Sequence, residues 1–301
     1  MPECCAPTSN DTFDLIVIGA GSAGFSAAIT AAEQGKKVVI FGHGTIGGTC
    51  VNVGCVPSKT MIRAAGVMHA GFDAERFNGI SAATRLESWG KLQAQKQKLV
   101  TDLRAAKYSD ILPQYETLRY IEGAAKLVQG GVMVKGQIYK ADKIIIATGS
   151  HSTVPPIDGI TGVSHLDSTS ALALEKLPKS MIIIGAGVIG CELGQMFARL
   201  GSKVTLLCRS TVLAGAEPEI SYALADYLRA DGMDVICGVK YLSVEEQNGI
   251  ELCYEHQGRV HSVTAQHLLL ATGRKANTAG LGLDDVGITT AANGGIVVNE
   301  F

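Results

Sequence analysis

Two stretches of the chain share one order of apolar and small residues. Each begins with a largely apolar, β-branched run, at 13–18 and at 181–184, which is typical of a buried strand. Glycines follow at once, and a helical pattern then ends at a further glycine. A second apolar run, at 37–41 or 203–207, completes each unit. The pattern predicts two strand–turn–helix–strand units, which are typical of an α/β protein with parallel sheets.

The glycine turn of each unit has the spacing of a dinucleotide-binding loop. GxGxxG is weak evidence alone, but here it follows a strand and begins a helix, which supports the assignment over glycines that serve packing only. The glycines permit close backbone approach, and the helix N-terminus presents N–H groups to a pyrophosphate. The predicted contacts are Gly19, Gly21, Ser22, Ala23 and Gly24 in the first unit and Gly185, Gly187, Val188, Ile189 and Gly190 in the second.

The residues after the closing strand of each unit distinguish between nucleotides. A carboxylate there would bind a ribose 2′-hydroxyl, whereas an arginine accommodates a 2′-phosphate. The second unit has Arg209 and no carboxylate, which favours NADPH, although an exposed arginine at a strand end is also common by chance. The first unit ends at His43 and has no Asp or Glu over 35–72. Backbone groups, His43 and water would then hold the adenosine, or this site is weakened.

Two further strand ends carry a short Ala-Thr-Gly turn. The first contains Thr148 and Gly149, and the second contains Gly273 and Arg274. We predict these residues at the two nucleotide sites, because an open α/β fold binds its ligand at the carboxyl edge of the sheet. The predicted organisation is a flexible tail over 1–12, a first nucleotide-binding domain over 13–150, a second domain over 151–275 and a return segment to the first over 276–301.

Composition and charge exclude several classes of function. A hydrophobic content of 47%, a charged content of 18% and a net charge of −2 indicate a globular protein with no basic surplus for nucleic acid or an anionic membrane. The uncharged run 15–32 is interrupted by glycines, so we interpret it as strand, turn and helix rather than a membrane span. Residues 1–14 hold no Lys or Arg, so the basic leader of a secretory signal is missing. We expect a cytoplasmic protein whose partners are small molecules.

The eight cysteines divide into three groups. In a reducing compartment a static disulfide framework is improbable. The separate ones are interpreted as small hydrophobes in apolar or strand-like surroundings, namely Cys191, Cys208, Cys237 and Cys253. Cys4 and Cys5 are vicinal in a polar tail, for which a metal-delivery role stands as the alternative to a disordered tail. Cys50 and Cys55 lie together in a glycine-rich segment.

Cys50 and Cys55 form the most specific feature of the chain. Residues five apart in a regular α-helix rise about 7.5 Å, whereas a disulfide requires Cα atoms within about 4.4–6.8 Å. A bridge therefore requires a distorted helical turn, which Asn52 and Gly54 would tolerate. A strained disulfide is easily reduced, and a thiol near a helix N-terminus is expected to have a lowered pKa. We interpret the two as a redox pair rather than chance neighbours or zinc ligands, because no second Cys or His pair stands nearby at ligand spacing.

The segment around these cysteines, GGTCVNVGCVPSK at 47–59, resembles the active-site segment of the pyridine nucleotide-disulfide oxidoreductases. That family includes glutathione reductase, dihydrolipoamide dehydrogenase and mercuric reductase. The two glycine loops and both Ala-Thr-Gly turns are similar in kind and order, so the resemblance spans nearly the whole chain. Within the family, the segments 60–65, 103–108 and 201–205 are most similar to mercuric reductases.

The resemblance implies a fold, cofactors and a mechanism. It implies two Rossmann-like domains, of which the first binds FAD and the second, inserted into it, binds NADPH. Electrons would pass from NADPH through FAD to a Cys50–Cys55 disulfide, with Cys55 against the flavin and Cys50 exchanging with substrate. Both sulfurs would hold Hg(II) transiently, because soft thiolates favour soft metals. Gly48, Thr49 and Lys59 would join the flavin site, where Lys59 and Glu192 would form a catalytic pair.

The end of the chain departs from the family pattern. Residues 294–301 read as a strand, whereas family members continue into a flavin-binding turn, a domain that forms a homodimer and, in mercuric reductases, a vicinal cysteine pair that delivers Hg(II). We expect the chain to lack those parts and the N-terminal metal-binding domain of some relatives. Two alternatives therefore stay open: a reductase of the dihydrolipoamide or glutathione type that acts on a small thiol or disulfide, and a nucleotide-binding fragment without turnover.

Overall fold

The computed structural model describes residues 8–300, without the side chains of 8–11 and Glu75. Cys4 and Cys5 therefore lie outside the described residues. The first eight strands are β1 (Thr8–Ile18), β2 (Val38–Gly42), β3 (Leu118–Glu122), β4 (Ala125–Val128), β5 (Gly131–Val134), β6 (Gln137–Ile146), β7 (Ser150–Ser152) and β8 (His165–Leu166). The next eight are β9 (Ser180–Ile184), β10 (Lys203–Cys208), β11 (Asp234–Cys237), β12 (Lys240–Glu246), β13 (Ile250–His256), β14 (Arg259–Ala265), β15 (His267–Leu270) and β16 (Arg274–Ala276).

The helices alternate with the strands, as an α/β pattern requires. They are α1 (Ser22–Glu33), α2 (Gly48–Asn52), α3 (Cys55–Asp73), α4 (Trp89–Arg104), α5 (Ser168–Leu172), α6 (Val188–Arg199) and α7 (Pro218–Ala230). An amphipathic pattern with a Lys- and Gln-rich polar face predicts a helix over 99–112. In the structure this helix begins earlier, at Trp89, and its end is a π-helical turn, Ala105–Ser109. No helix in the described part of the chain has the length and apolar character needed to cross a membrane.

The first unit is built on a six-stranded sheet with the order β3-β2-β1-β6-β5-β4. The four strands β3, β2, β1 and β6 run parallel, and β5 and β4 add an antiparallel edge. Strand β2 is buried along its whole length, which explains its continuous apolar run. The carboxyl ends of β1, β2 and β6 lie side by side, so the turns that follow them meet at one edge.

The second unit is built on a parallel sheet with the order β11-β10-β9-β15-β8. Side chains alternate across it: Met181 and Ile183 face a core that includes Phe197 of α6, whereas Ile182 and Ile184 face the antiparallel sheet β12-β13-β14. A sheet covered on both faces explains why β9 is uniformly apolar. The predicted fold class, an α/β protein with two units built on largely parallel sheets, is confirmed.

The described chain divides into two compact units. The first comprises residues up to Cys55, Leu99–His151 and Lys275 onwards, and the second comprises Val56–Lys98 and Ser152–Arg274. The second unit thus includes most of α3 and α4, which precede the predicted limit of the second domain. The predicted domain limits stay predictions, because compact units need not coincide with cofactor-binding domains.

Candidate active site

The first glycine loop joins three strand ends. The N–H of Gly19 donates to the carbonyl of Phe41 at 2.8 Å, and the N–H of Ala147 donates to the carbonyl of Ile18 at 2.7 Å. Gly19 has φ +119°, and a Cβ there would collide with the carbonyl oxygen of Ala147. The turn after β1 and the Ala-Thr-Gly turn after β6 therefore lie directly together, and only glycine fits between them.

A cavity of about 530 Å³ opens at this edge of the first sheet. Helix α1 begins beside it at Ser22 without a side-chain cap, which leaves its first-turn N–H groups to a ligand. The predicted residues that line the cavity are Gly19, Gly21, His43, Gly48, Thr49, Thr148 and Gly149. Ser22, Ala23 and Gly24 are not among its lining residues. The size and the backbone-rich wall suit a dinucleotide.

Asn277 is a lining residue that the sequence pattern did not reveal. Its Nδ2 donates to the carbonyl of Thr148 at 2.9 Å, and Thr148 Oγ1 donates to the carbonyl of Asn277 at 2.8 Å. The N–H of Asn277 donates to Gly149 at 2.9 Å. These reciprocal bonds fix the Thr148–Gly149 turn against the cavity. The sequence offered one signal for this residue, an amide side chain three residues after the Ala-Thr-Gly-Arg turn at 271–274.

The cysteine loop adopts a broken helix. Helix α2 ends at Asn52, Val53 leaves helical geometry at φ −140° and ψ 3°, and α3 begins at Cys55. The thiols of Cys50 and Cys55 lie in hydrogen-bond contact, with Cys50 half-buried and Cys55 exposed. The break brings together two sulfurs that a regular helix would separate by about 7.5 Å along its axis.

The pKa of Cys50 is raised, so the expectation of a lowered pKa at a helix N-terminus is wrong for this thiol. The largest cause is its hydrogen bond with the Cys55 side chain, followed by burial and by charge repulsion from Cys55. A backbone hydrogen bond and the positive charge of Lys107 act in the opposite direction. The Cys50 thiol therefore releases its proton less readily than an unperturbed cysteine does.

Asn52 and Arg104 hold the cysteine loop in place. Asn52 Nδ2 donates to the carbonyls of Ile46 and Gly48, both at 2.9 Å. Arg104 Nη1 donates to Asn52 Oδ1 at 3.1 Å, so all of the amide's polar atoms are engaged. Asn52 was expected only to tolerate a distorted turn, whereas in the structure it stabilises one.

The π-helical turn after α4 supplies two residues of the segment 103–108 to which sequence reasoning assigned no role in the site. One is Lys107, whose charge acts on Cys50. The other is Tyr108, which is buried, with its hydroxyl 3.0 Å from Ser22 Oγ and its ring edge-on to Phe25 at 4.9 Å. Single π turns inside helices frequently occur at functional sites. Here the turn ties the start of α1 to the helix that supports the cysteine loop.

Lys59 and Glu192 form an ion pair in the second unit, through Nζ and Oε1. Their side chains are 58% and 34% exposed, so solvent weakens the attraction, and such pairs contribute little to stability. The predicted partners therefore do meet. Their predicted role at a flavin stays a prediction.

The second glycine loop repeats the backbone of the first. The N–H of Gly185 donates to Leu207 at 2.9 Å, that of Ala271 donates to Ile184 at 2.8 Å, and a Cβ at Gly185 would collide with the carbonyl of Ala271. Helix α6 begins without a side-chain cap. A cavity of about 220 Å³ adjoins it, and its predicted lining residues are Gly187, Val188, Ile189, Gly273 and Arg274. Arg209 is exposed just after β10, and neither it, Gly185 nor Gly190 lines this cavity.

Comparisons with known proteins agree with this geometry. The sequence profile of the pyridine nucleotide-disulphide oxidoreductases matches residues 13–301. Mercuric reductases from Lysinibacillus sphaericus and Staphylococcus aureus are 40% and 42% identical, over 99% and 96% of this chain and 55% and 53% of their own lengths. The Cu(II) complex of the HOCl-induced flavoprotein disulfide reductase RclA from Escherichia coli matches with a TM-score of 0.82 at 29% identity, over 96% of this chain and 62% of that one.

The chain thus spans about half the length of the curated relatives that it matches. The similarities confirm the resemblance to mercuric reductases and the assignment to an oxidoreductase family. They also confirm the predicted cofactor classes, FAD and a nicotinamide nucleotide. The role of each predicted site residue stays a prediction, as does the choice of NADPH over NADH.

Proposed function

Because the chain belongs to the pyridine nucleotide-disulphide oxidoreductase family, we propose that it forms the redox core of an NADPH-dependent flavoprotein that reduces Hg(II) to elemental mercury. The contact between the Cys50 and Cys55 thiols carries this proposal. The 40% and 42% identities to mercuric reductases support mercury as the substrate.

The first cavity has the features that FAD requires. Gly19 and Gly21 present backbone without a Cβ, and the uncapped start of α1 offers N–H groups to a pyrophosphate. When bound, FAD would supply a two-electron carrier between a nicotinamide and a disulfide. In this proposal Thr148 and Gly149, fixed by Asn277, complete the cofactor site.

The second glycine loop would bind NADPH. The first turn of α6 would receive the pyrophosphate, because its N–H groups have no side-chain cap. Arg209, exposed at the end of β10, would pair with the 2′-phosphate that distinguishes NADPH from NADH. Gly273 and Arg274 would form the other wall of this site.

The chain's own thiols would hold the mercury. Each sulfur forms one bond to Hg(II), a soft ion that suits thiolates, while two S–H bonds break and two protons pass to water. Because the pKa of Cys50 is raised, its proton leaves as the S–Hg bond forms. Two electrons delivered to the bound ion then give Hg(0) and leave both sulfurs as thiolates.

The setting of the reaction is also part of the proposal. A reducing compartment, the cytoplasm, would keep Cys50 and Cys55 available as thiols. The family resemblance favours a homodimer for the whole protein.

The test is NADPH-dependent release of mercury vapour by the purified protein with bound flavin. Cys50→Ser and Cys55→Ser are expected to lose the release, because neither variant can form a disulfide or a two-sulfur complex. Cys253→Ser, in strand β13, is the matched control and should keep it. Vapour release at the parent rate by either redox variant would refute the mechanism.

A disulfide reductase is the second candidate, favoured by the match to a flavoprotein disulfide reductase. Consumption of NADPH or NADH with oxidised glutathione or lipoamide, and no mercury vapour, would identify it. A purified protein that retains no yellow flavin and oxidises neither nucleotide would instead indicate a nucleotide-binding fragment.

A further inference from the structure

A second pair of cysteines faces each other in the second unit. Cys208 ends β10 and Cys237 ends β11, and the two are direct partners in the parallel register of these strands. Residues in register on neighbouring strands point to the same face of the sheet. Cys237 lies close enough to raise the pKa of Cys208. Sequence analysis interpreted both as separate small hydrophobes, because the pairing of β10 with β11 cannot be seen from the sequence alone.

The surroundings of this pair are apolar and nearly closed. Cys208 is only 6% exposed, and Cys237 is half-buried against the same core, which also contains Cys191 and Val212. Burial, followed by the hydrogen bond with Cys237, raises the pKa of Cys208 to about 12. The Cys208 thiol therefore stays protonated at neutral pH and is a poor nucleophile, so a role for the pair as a second catalytic disulfide is not favoured.

The same geometry suits a soft metal ion with two ligands. Within residues 8–300, no group of three or more His, Cys, Asp or Glu side chains is arranged to hold a metal. Zinc usually takes four ligands, whereas Hg(II) forms linear complexes with two thiolates. The ion would displace the thiol protons, since thiolate is the form that binds a metal.

We propose that Cys208 and Cys237 form a second soft-metal site, which binds one Hg(II) ion between two sulfurs. Two S–Hg bonds form, two S–H bonds break, two protons pass to water and no electron is transferred. The site stands apart from the Cys50/Cys55 loop along the chain, and it requires neither cofactor nor turnover. It therefore holds whether or not the protein reduces mercury.

The site would lie directly beneath a nucleotide-binding feature. Cys208 directly precedes Arg209 at the end of β10. Two hydrogen bonds join this strand end to that of β11: the N–H of Gly238 donates to the carbonyl of Ser210 at 3.0 Å, and the N–H of Val239 donates to the carbonyl of Cys208 at 3.1 Å. An ion that joins the two sulfurs would clamp the strand ends from which Arg209 projects. The chemical class of ligand is a thiophilic ion that accepts two thiolates.

The test measures mercury retained by the full chain after desalting with excess free cysteine, which strips ions held by single thiols. The parent carries Cys4→Ser, Cys5→Ser, Cys50→Ser, Cys55→Ser and Cys191→Ala, so that Cys253 is the only cysteine left outside the proposed pair. One Hg(II) per chain is expected. Adding Cys208→Ser or Cys237→Ser should abolish retention, because each leaves a single sulfur.

Cys253→Ser added to the same parent is the control and should keep the ion. Urea unfolding confirms that each variant is folded, and Cys237→Ala replaces Cys237→Ser if the serine weakens β11. Retention by a folded Cys208 or Cys237 variant, or none by the parent, would overturn the proposal. Mercury vapour release is not part of this measurement, so its failure and that of the proposed function are separate.

Discussion

The two glycine loops have the same backbone but different neighbours. In each, the N–H of the first glycine donates a hydrogen bond to a carbonyl near the end of the second strand of the unit. A Cβ on this glycine would collide with the carbonyl oxygen of an alanine. Above the first loop, however, Gly47 forms a bridge with Gly21, and a Cβ on Gly48 would lie 2.6 Å from the Cα of Gly21. At the corresponding glycine of the second loop, Gly187, a Cβ would meet nothing within 4 Å.

This difference shows how one loop type serves two purposes. The second loop presents its middle glycine to open space, which suits a nucleotide that binds and leaves. The first loop is covered by the start of the cysteine segment, so a nucleotide held there lies beside a reactive pair. In the proposed function, the cysteine segment that packs on the first loop supplies the redox pair, and the loop itself supplies an anion site.

The largest expected effect is at the shared first glycine. Gly19→Val should cost about 3–5 kcal/mol and abolish flavin retention, because the side chain collides with Ala147 and the φ of +119° is strained for it. Gly185→Val should do the same to nucleotide binding by the second loop. Urea unfolding measures both costs in stability, flavin absorbance measures the loss at the first loop, and NADPH titration measures the loss at the second.

Gly44→Ala is the matched control for that prediction. Its φ is +80°, but a Cβ there meets nothing within 4 Å, so only backbone strain remains. We expect a cost of about 1 kcal/mol and full flavin retention. An equal loss in Gly44→Ala and Gly19→Val would show that the close approach of the alanine carbonyl is unimportant.

Arg209→Ala should weaken NADPH binding by the second glycine loop without affecting flavin binding by the first. Loss of a charge-assisted bond of about 1.5–3 kcal/mol predicts at least about tenfold weaker NADPH binding, with NADH binding and flavin retention unchanged. Lys203→Ala, an exposed residue at the other end of β10, is the control. Nucleotide titration by fluorescence measures the ratio, and equal weakening of NADPH and NADH would contradict a 2′-phosphate contact.

Asn52→Ala should act on the cysteine loop and leave the second glycine loop unchanged. It removes the bonds to Ile46 and Gly48 and leaves Arg104 without its amide partner, at a cost of about 1–3 kcal/mol. Turnover should fall about tenfold or more, and NADPH affinity should not change. Gln114→Ala, which removes one exposed side-chain bond to Asp110, should alter neither quantity. Unchanged turnover in Asn52→Ala would mean that the broken helix holds its shape without this amide.

Sequence reasoning reached the parts of the fold that are local. Strand, turn and helix follow from β-branched runs and glycines within a few residues, so β9 was predicted nearly at its observed bounds and α1 and α6 at their places in the chain. The end of β1 was also predicted, but the strand begins at Thr8, within the predicted tail, rather than at Phe13. The cysteine pair was local too, and the requirement of a distorted turn came from the dimensions of a helix.

The remainder depends on which elements are neighbours. Asn277 reaches Thr148 across more than a hundred residues, and Cys208 meets Cys237 only because β10 pairs with β11. A periodic pattern also continues through Ala105–Ser109 as if the helix were regular, whereas the π turn changes the direction in which Lys107 and Tyr108 point. Periodicity carries no information about such contacts.

The smallest expected effect concerns the charge near Cys50. Lys107 lowers a pKa that the Cys55 hydrogen bond and burial raise, so Lys107→Met should raise it further and move the pH profile of Cys50 alkylation to higher pH. Because the fold favours the thiol form of Cys50, this group contributes to the free energy of unfolding at every pH below the ordinary thiol pKa. The contribution is lost as the pH rises through the raised pKa of Cys50 in the folded protein. Lys91→Met, exposed on α4, should leave the profile unchanged. An identical profile in Lys107→Met would show that solvent already screens this charge. The pKa of Cys50 in the cysteine loop would then be set by hydrogen bonding, burial and Cys55 alone.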